Sequence, residues 1–277
     1  MELNKIHFKN CIEVLQSLPN NSIDMFLQDP PFEVTDQVWD KGFIENLPLL
    51  WDLWLNKGKR NAPFIFKATF PFAIDLINSN RKMFKYEWIW EKNSYTNFVN
   101  AKRMPLRNVE YLFVFYREQP TYNPVLRKNK HVKPAQIKKT QTQTKIYSIK
   151  EGSYEYKVDE FGQPTNLIKV NSEKDRFVSN NGSQNRHPNR TNPELWKYFI
   201  KTYTNKGDVV FDGYSGSGSV PEACIELNRK FIACENSDEY FYDTEKRLFD
   251  LKEKKLFGYD KTNIVTSPNS LFFGLTL

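Results

Sequence analysis

Val209-Val210-Phe211-Asp212-Gly213-Tyr214-Ser215-Gly216-Ser217-Gly218-Ser219 runs a short apolar strand straight into a glycine- and serine-rich turn. Ser219 and Glu222, three apart, read as a capping box that opens a helix over the apolar residues that follow. A strand, a glycine turn and a helix in that order form a cradle where backbone approaches a ligand closely. The next apolar run, 230–235, reads as a second strand ending in Glu235, 23 residues beyond Asp212. A carboxylate there is placed to accept both hydroxyls of a ribose. The cradle departs from two phosphate-binding patterns. Pro221 occupies the third glycine position of a dinucleotide fingerprint, and Gly218-Ser219-Val220 lacks the lysine of a P-loop. A ligand with adenosine but without phosphates fits best.

Upstream, residues 22–28 form another apolar strand that leads into Asp29-Pro30-Pro31-Phe32. Two successive prolines fix φ and hold an extended turn, so the Asp29 carboxylate is positioned and not free to wander. By itself the tetrapeptide is no more than a rigid loop. Paired with the glycine turn and Glu235, it becomes the second half of a candidate site.

Between and around these two turns, short apolar runs (23–27, 63–68, 86–90, 109–116) alternate with amphipathic stretches (43–55, 70–77, 193–203, and from 238 onward). That alternation predicts an α/β chain with one large sheet and helices on both faces. The pattern lapses from residue 118 to 186, a polar stretch rich in Lys and Gln. The expected organisation is therefore one domain formed by 1–117 and 187–255, an inserted region at 118–186, and a tail at 256–277.

The chain has 277 residues, a formal charge of +7 and a pI near 9.1, which favours a polyanionic partner. The charge concentrates in the middle. Arg127, Lys128, Lys130, Lys133, Lys138, Lys139, Lys145 and Lys150 fall in a stretch with no Asp or Glu, interleaved with Gln136, Gln141 and Gln143. Such a mixture suits phosphate neutralisation with hydrogen bonding to base edges, and equally a solvated basic loop. Cys11, Cys224 and Cys234 show no disulfide framework or zinc spacing, and no metal site is expected. With no basic-apolar leader after Met1 and no run of about 18 apolar residues, a cytoplasmic, membrane-free location is expected.

Several segments together resemble the amino-methylating DNA methyltransferases, in particular the β-ordered group whose catalytic motif precedes the cofactor motif. They are residues 17–32, 83–92, 101–108 with 115–116, His187-Pro188, and 203–235. The resemblance implies a Rossmann-like methyltransferase sheet with permuted motif order. It implies S-adenosylmethionine as cofactor, held by Asn10, Asp29, Asp212, Tyr214, Gly216, Ser217, Gly218, Ser219 and Glu235, with the glycine turn around the methionine moiety. Asp29, Pro30, Pro31 and Phe32 would hold the target base, and Arg127, Lys128, Lys130, Lys133, Lys138 and Lys139 would meet double-stranded DNA. A homodimer and a cognate restriction endonuclease are the partners such relatives have in bacterial or phage-infected cells.

The residue types suit that chemistry. An exocyclic amine is a poor nucleophile because its lone pair is delocalised into the ring. Asp29 and the Pro30 carbonyl can accept its two N–H bonds while Phe32 stacks on the base. Transfer is then direct, whereas ring-carbon methylation requires a thiolate nucleophile that none of the three cysteines is placed to supply. Asp at the head of the tetrapeptide points to adenine N6; cytosine N4, whose enzymes more often carry Ser there, is the alternative, and a catalytically weak DNA-binding relative is a third. Three positions depart from the pattern: Asn10 where relatives have Asp, Phe32 where Tyr is commoner, and His187-Pro188-Asn189-Arg190-Thr191-Asn192, where relatives place a lysine at the position of Thr191.

Overall fold

A computed structural model of the chain describes residues 2–33, 41–139, 153–172 and 190–257. Its strands are β1 (Lys5–Phe8), β2 (Met25–Gln28), β3 (Phe64–Ala68), β4 (Phe84–Thr96), β5 (Arg107–Phe115), β6 (Arg127–Lys128), β7 (Lys133–Lys139), β8 (Ser153–Val158), β9 (Phe161–Gly162), β10 (Leu167–Lys169), β11 (Val209–Asp212) and β12 (Lys230–Glu235). The helices are α1 (Cys11–Ser17), α2 (Phe43–Lys57), α3 (Phe72–Ser79), α4 (Pro193–Tyr203), α5 (Ser219–Glu226) and α6 (Asp238–Phe257).

Eight strands build the central sheet in the order β1-β12-β11-β2-β3-β5-β4-β10. From β1 to β3 neighbours are parallel; β5 runs antiparallel to both β3 and β4, and β10 joins β4 in parallel. The central parallel strands are buried on both faces, and β2 and β3 are accordingly continuous apolar runs apart from Gln28 and Lys67. Side chains divide by parity. Phe26, Phe64 and Phe66 face the core shared with α1, α2 and α3, while Met25, Leu27 and Ile65 face the core shared with α4, α5 and α6. The expected α/β class, with helices on both faces, is the observed one.

Sequence periodicity missed β1, α1 and β10, which have four, seven and three residues and too few turns of pattern to register. Strand β10 also revises the organisation: it lies within the stretch expected to be a separate insert, yet Leu167–Lys169 pairs with Ile89–Glu91 and buries Ile168 in the main core. The rest of the described part of 118–186 forms two small antiparallel sheets, β6 with β9 and β7 with β8.

Candidate active site

The strand order reverses between β11 and β2, so the loops leaving their carboxyl ends diverge and open a crevice. The glycine turn leaves β11 and the tetrapeptide leaves β2. A buried side chain joins the two halves. Gln28 donates from Nε2 to the Phe211 carbonyl at 2.7 Å, and its Oε1 accepts from the Gly213 N–H at 3.0 Å. The residue before Asp29 is thus fastened to the residues on either side of Asp212.

On the glycine-turn side, Gly218 has φ +71°, and a Cβ there would collide with Thr244 of α6. The turn is held from below by Thr244, whose hydroxyl donates to the Gly216 carbonyl at 3.0 Å, and by Arg247, which donates to the Ser217 carbonyl. Glu235 spans from β12 to the turn: Oε2 accepts from the Gly216 N–H at 2.7 Å, and Oε1 from the Ser237 N–H at 2.8 Å. Burial raises the Glu235 pKa against the lowering effect of these N–H groups.

The capping box does not form. Gly218 is the N-cap of α5 and supplies no side chain, and Glu222 instead accepts from Arg190 at 2.6 Å and from Arg247. Two guanidiniums on one carboxylate outcompete a backbone cap. Arg190, the residue just before Thr191, is thereby tied to the first turn of α5.

Two features of this half fit a cationic, hydrogen-bonding ligand. Asp212 is only 2% exposed, with the Tyr214 N–H as a partner of Oδ1 and no ion pair among the described residues. Burial drives its pKa well above the carboxylate range, with Asp29 and Glu235 adding repulsion. The Ser215 hydroxyl, also buried, has no hydrogen-bond partner among the described residues. Buried polar groups left in this state call for a ligand. Asn10 is the exposed N-cap of α1, its Oδ1 accepting from the Ile12 N–H at 2.9 Å. It follows β1, whose Phe8 is in register with Glu235, so it stands at the outer end of the same crevice.

On the tetrapeptide side sits a buried charge network that sequence reading missed. Lys67 of β3, 7% exposed, places Nζ 2.9 Å from Asp29 Oδ2, 2.9 Å from Thr191 Oγ1 and 3.4 Å from Glu110 Oε2. Thr191 closes the triangle by donating to the same Asp29 Oδ2 at 3.0 Å. Glu110 is paired in turn with Lys92. Burial works against the Lys67 ammonium, but Asp29 and Glu110 outweigh it and hold its pKa above the ordinary lysine value. Burial likewise works against the Glu110 carboxylate, and Lys67 and Lys92 together keep its pKa low. Thr191 is therefore an acceptor for an ammonium that arrives from β3. Beside this network Phe32 stacks on Phe72 at 5.4 Å, with Lys67 Nζ 5.8 Å from its ring, and Pro30 is buried.

Residues 23–246 match the profile of the N6/N4 methyltransferase family, described as DNA methylase. The chain belongs to this DNA methylase family. It is 25% identical over 257 residues to the Type II methyltransferase M1.MboII of Moraxella bovis, covering 87% of this chain and 94% of that protein. Among solved structures, the M1.HpyAVI–SAM complex superposes with a TM-score of 0.58 at 21% identity, covering 88% of this chain and 98% of that one. The cytosine-N4-specific PvuII DNA methyltransferase gives 0.61 at 16% identity, covering 92% and 93%. These likenesses place the DNA methylase described here among Rossmann-like methyltransferases. The tetrapeptide strand β2 precedes the glycine-turn strand β11 in the chain, which is the permuted order.

Among the described residues, Arg127, Lys128, Lys130 and Lys133 lie apart from this crevice's hydrogen-bond network. Arg127 binds the Gln163 carbonyl and Asn129, and Lys128 pairs with Glu160 at 3.4 Å. Lys130 and Lys133 are exposed, and Lys138 and Lys139 end β7. Gln141, Gln143, Lys145, Lys150, His187, Pro188, Asn189 and the 258–277 part of the tail lie outside the described residues. No described helix is long and apolar enough to cross a membrane.

Proposed function

We propose that this DNA methylase transfers a methyl group from S-adenosylmethionine to adenine N6 of a base flipped out of double-stranded DNA, as a site-specific modification enzyme of the Type II kind. The observation that carries the reading is the double donation of Lys67 and Thr191 to one oxygen of Asp29. Both donors occupy Oδ2, so the carboxylate is fixed in rotation and Oδ1 is the oxygen turned over to the substrate. Oδ1 accepts one amino N–H and the Pro30 carbonyl accepts the other, which draws the nitrogen lone pair out of the ring and aims it toward the crevice. Phe32 packs on the base.

The cofactor supplies an electrophilic methyl group on a sulfonium. Asp212 supplies a buried carboxyl that the cofactor's positive charge would ionise on binding, Gly216, Ser217, Gly218 and Ser219 let the cofactor approach the backbone, Tyr214 closes the methionine side, and Glu235 with Asn10 takes the adenosine end. Adenine is favoured over cytosine by the acid at position 29. A serine would leave the buried Lys67 ammonium with Glu110 alone, whereas Asp29 belongs to the charge balance of the pocket. The DNA methylase acts on a polyanion, in keeping with its charge of +7. A cytoplasmic setting and a companion endonuclease suit the Type II reading.

Asp29→Ala tests the assignment. Transfer of label from S-adenosylmethionine to DNA should disappear while cofactor binding, followed by calorimetry, stays within a few-fold of wild type. Equal turnover by the variant would remove Asp29 from the reaction.

A further inference from the structure

The antiparallel hairpin of β4 and β5 does not stop at the level of the active site. Trp90 and Glu110 are cross-strand partners beside Lys67, and the ladder resumes at the Thr96–Arg107 pair. On the β5 side that is about 10 Å further out. Beyond it, the turn 97–106 projects from the carboxyl edge of the sheet, on the side where a flipped base must enter to reach Asp29.

The turn's composition is unusual for a solvent-facing loop. Tyr95, Phe98, Val99 and Met104 are 55%, 65%, 98% and 46% exposed. Lys102, Arg103 and Arg107 are exposed beside them, and residues 93–109 contain no Asp or Glu. The loop is also braced. Asn97 adopts φ +73°, Asn100 Nδ2 donates to its side chain at 2.9 Å, and the Arg103 and Met104 N–H groups return to the Asn100 carbonyl. Ser172 bonds Asn93 and Ser94 from the side, and Arg107 donates to the Phe70 carbonyl. A rigid tip with an exposed aromatic ring, flanked by cations, fits a stacked polyanion: apolar wedges enter base steps while basic side chains hold the phosphates on either side.

We propose that this hairpin is the DNA wedge of the enzyme: Phe98, with Val99 beside it, fills the gap left in the duplex when the target base moves to Asp29, and Lys102, Arg103 and Arg107 clamp the flanking phosphates. The inference rests on the base-flipping reading above. It adds a second interaction surface, distinct from the basic strands β6 and β7, and gives it a task. An extruded base leaves unstacked neighbours, and an aromatic ring in its place restores part of that stacking.

The test compares Phe98→Ala with wild type on short duplexes carrying the sequence that the enzyme modifies in plasmid DNA. One duplex is fully paired; the other has an abasic site opposite the target base, which makes extrusion easy. Because Phe98 is at the surface, the variant folds. The expected result is a loss of about tenfold or more in kcat/KM on the paired duplex, recovery to within about twofold on the abasic one, and unchanged S-adenosylmethionine affinity. Full activity of the variant on the paired duplex overturns the proposal, and so does an equal loss on both duplexes. A shift of the variant from dimer to monomer in sedimentation overturns it too, assigning the patch to a second copy of the chain. Wild-type transfer to both duplexes shows that the underlying reading stands whichever way Phe98 falls; wild-type inactivity on every DNA sinks that reading and this inference with it.

Discussion

Asp29 is a residue whose neighbours decide what it can do. Its Oδ2 is occupied twice over, by Lys67 and Thr191, so replacing either should change the rate before it changes cofactor affinity. Thr191→Val removes one donor and leaves a near-isosteric side chain. We expect kcat to fall roughly tenfold, in line with about 1–1.5 kcal/mol for one hydrogen bond, with KM for the cofactor unchanged. Lys67→Met removes the ammonium from between two acids and should cost about 3–5 kcal/mol of stability, read as a lowered denaturation midpoint. Asp212 behaves in the opposite sense. Its carboxyl pKa is raised by burial, so the folded chain holds that proton more tightly than the unfolded chain. Ionising it therefore costs stability as pH rises from the ordinary carboxylate range toward the raised folded value. Asp212→Asn should raise Tm at neutral pH, by a margin that shrinks toward acid pH, while weakening S-adenosylmethionine binding. A variant that loses Tm at neutral pH and keeps its affinity contradicts the role given to this acid.

At the scale of elements, the site is two loops from adjacent strands joined by Gln28. Replacing Gln28 with Leu removes the side-chain partner of the buried Gly213 N–H and Phe211 carbonyl, at about 1–3 kcal/mol each at most. Cofactor binding and transfer should fall together, because both loops lose their shared anchor; a variant impaired in one alone would show that the halves are independent. The local signals were the legible ones. The glycine turn and the tetrapeptide each declare themselves within a dozen residues, and Glu235 at the end of the very next strand, since strand, turn and backbone restriction are short-range properties. Lys67 was invisible because its meaning lies in Thr191, 124 residues away, and Glu110, which no spacing rule connects. The capping box failed for a related reason: Glu222 had distant arginines to answer to. Strand β10 was hidden by its three residues, although it closes one edge of the sheet.

At the scale of the whole molecule, the described residues present two cationic surfaces: the braced hairpin tip beside the crevice, and the basic strands β6 and β7. DNA affinity should accordingly fall linearly on a log–log plot against salt, with a slope of about −0.9 per phosphate neutralised. Exchanging the exposed Lys130 and Lys133 for alanine should flatten that slope by about 1 for each lysine that meets a phosphate, whatever the sequence of the duplex. An unchanged slope would remove both residues from the interface. The fold, the family and the placement of both loops at the sheet's switch point agree on a DNA methylase; the proposed choice of adenine rests on the Asp29–Lys67–Thr191 triangle. The most direct measurement is therefore the product. The enzyme is incubated with genomic DNA and methyl-labelled S-adenosylmethionine, the DNA is digested to nucleosides, and the labelled species is identified by chromatography. The account predicts label in N6-methyladenine. Label in N4-methylcytosine, with none in adenine, would contradict it.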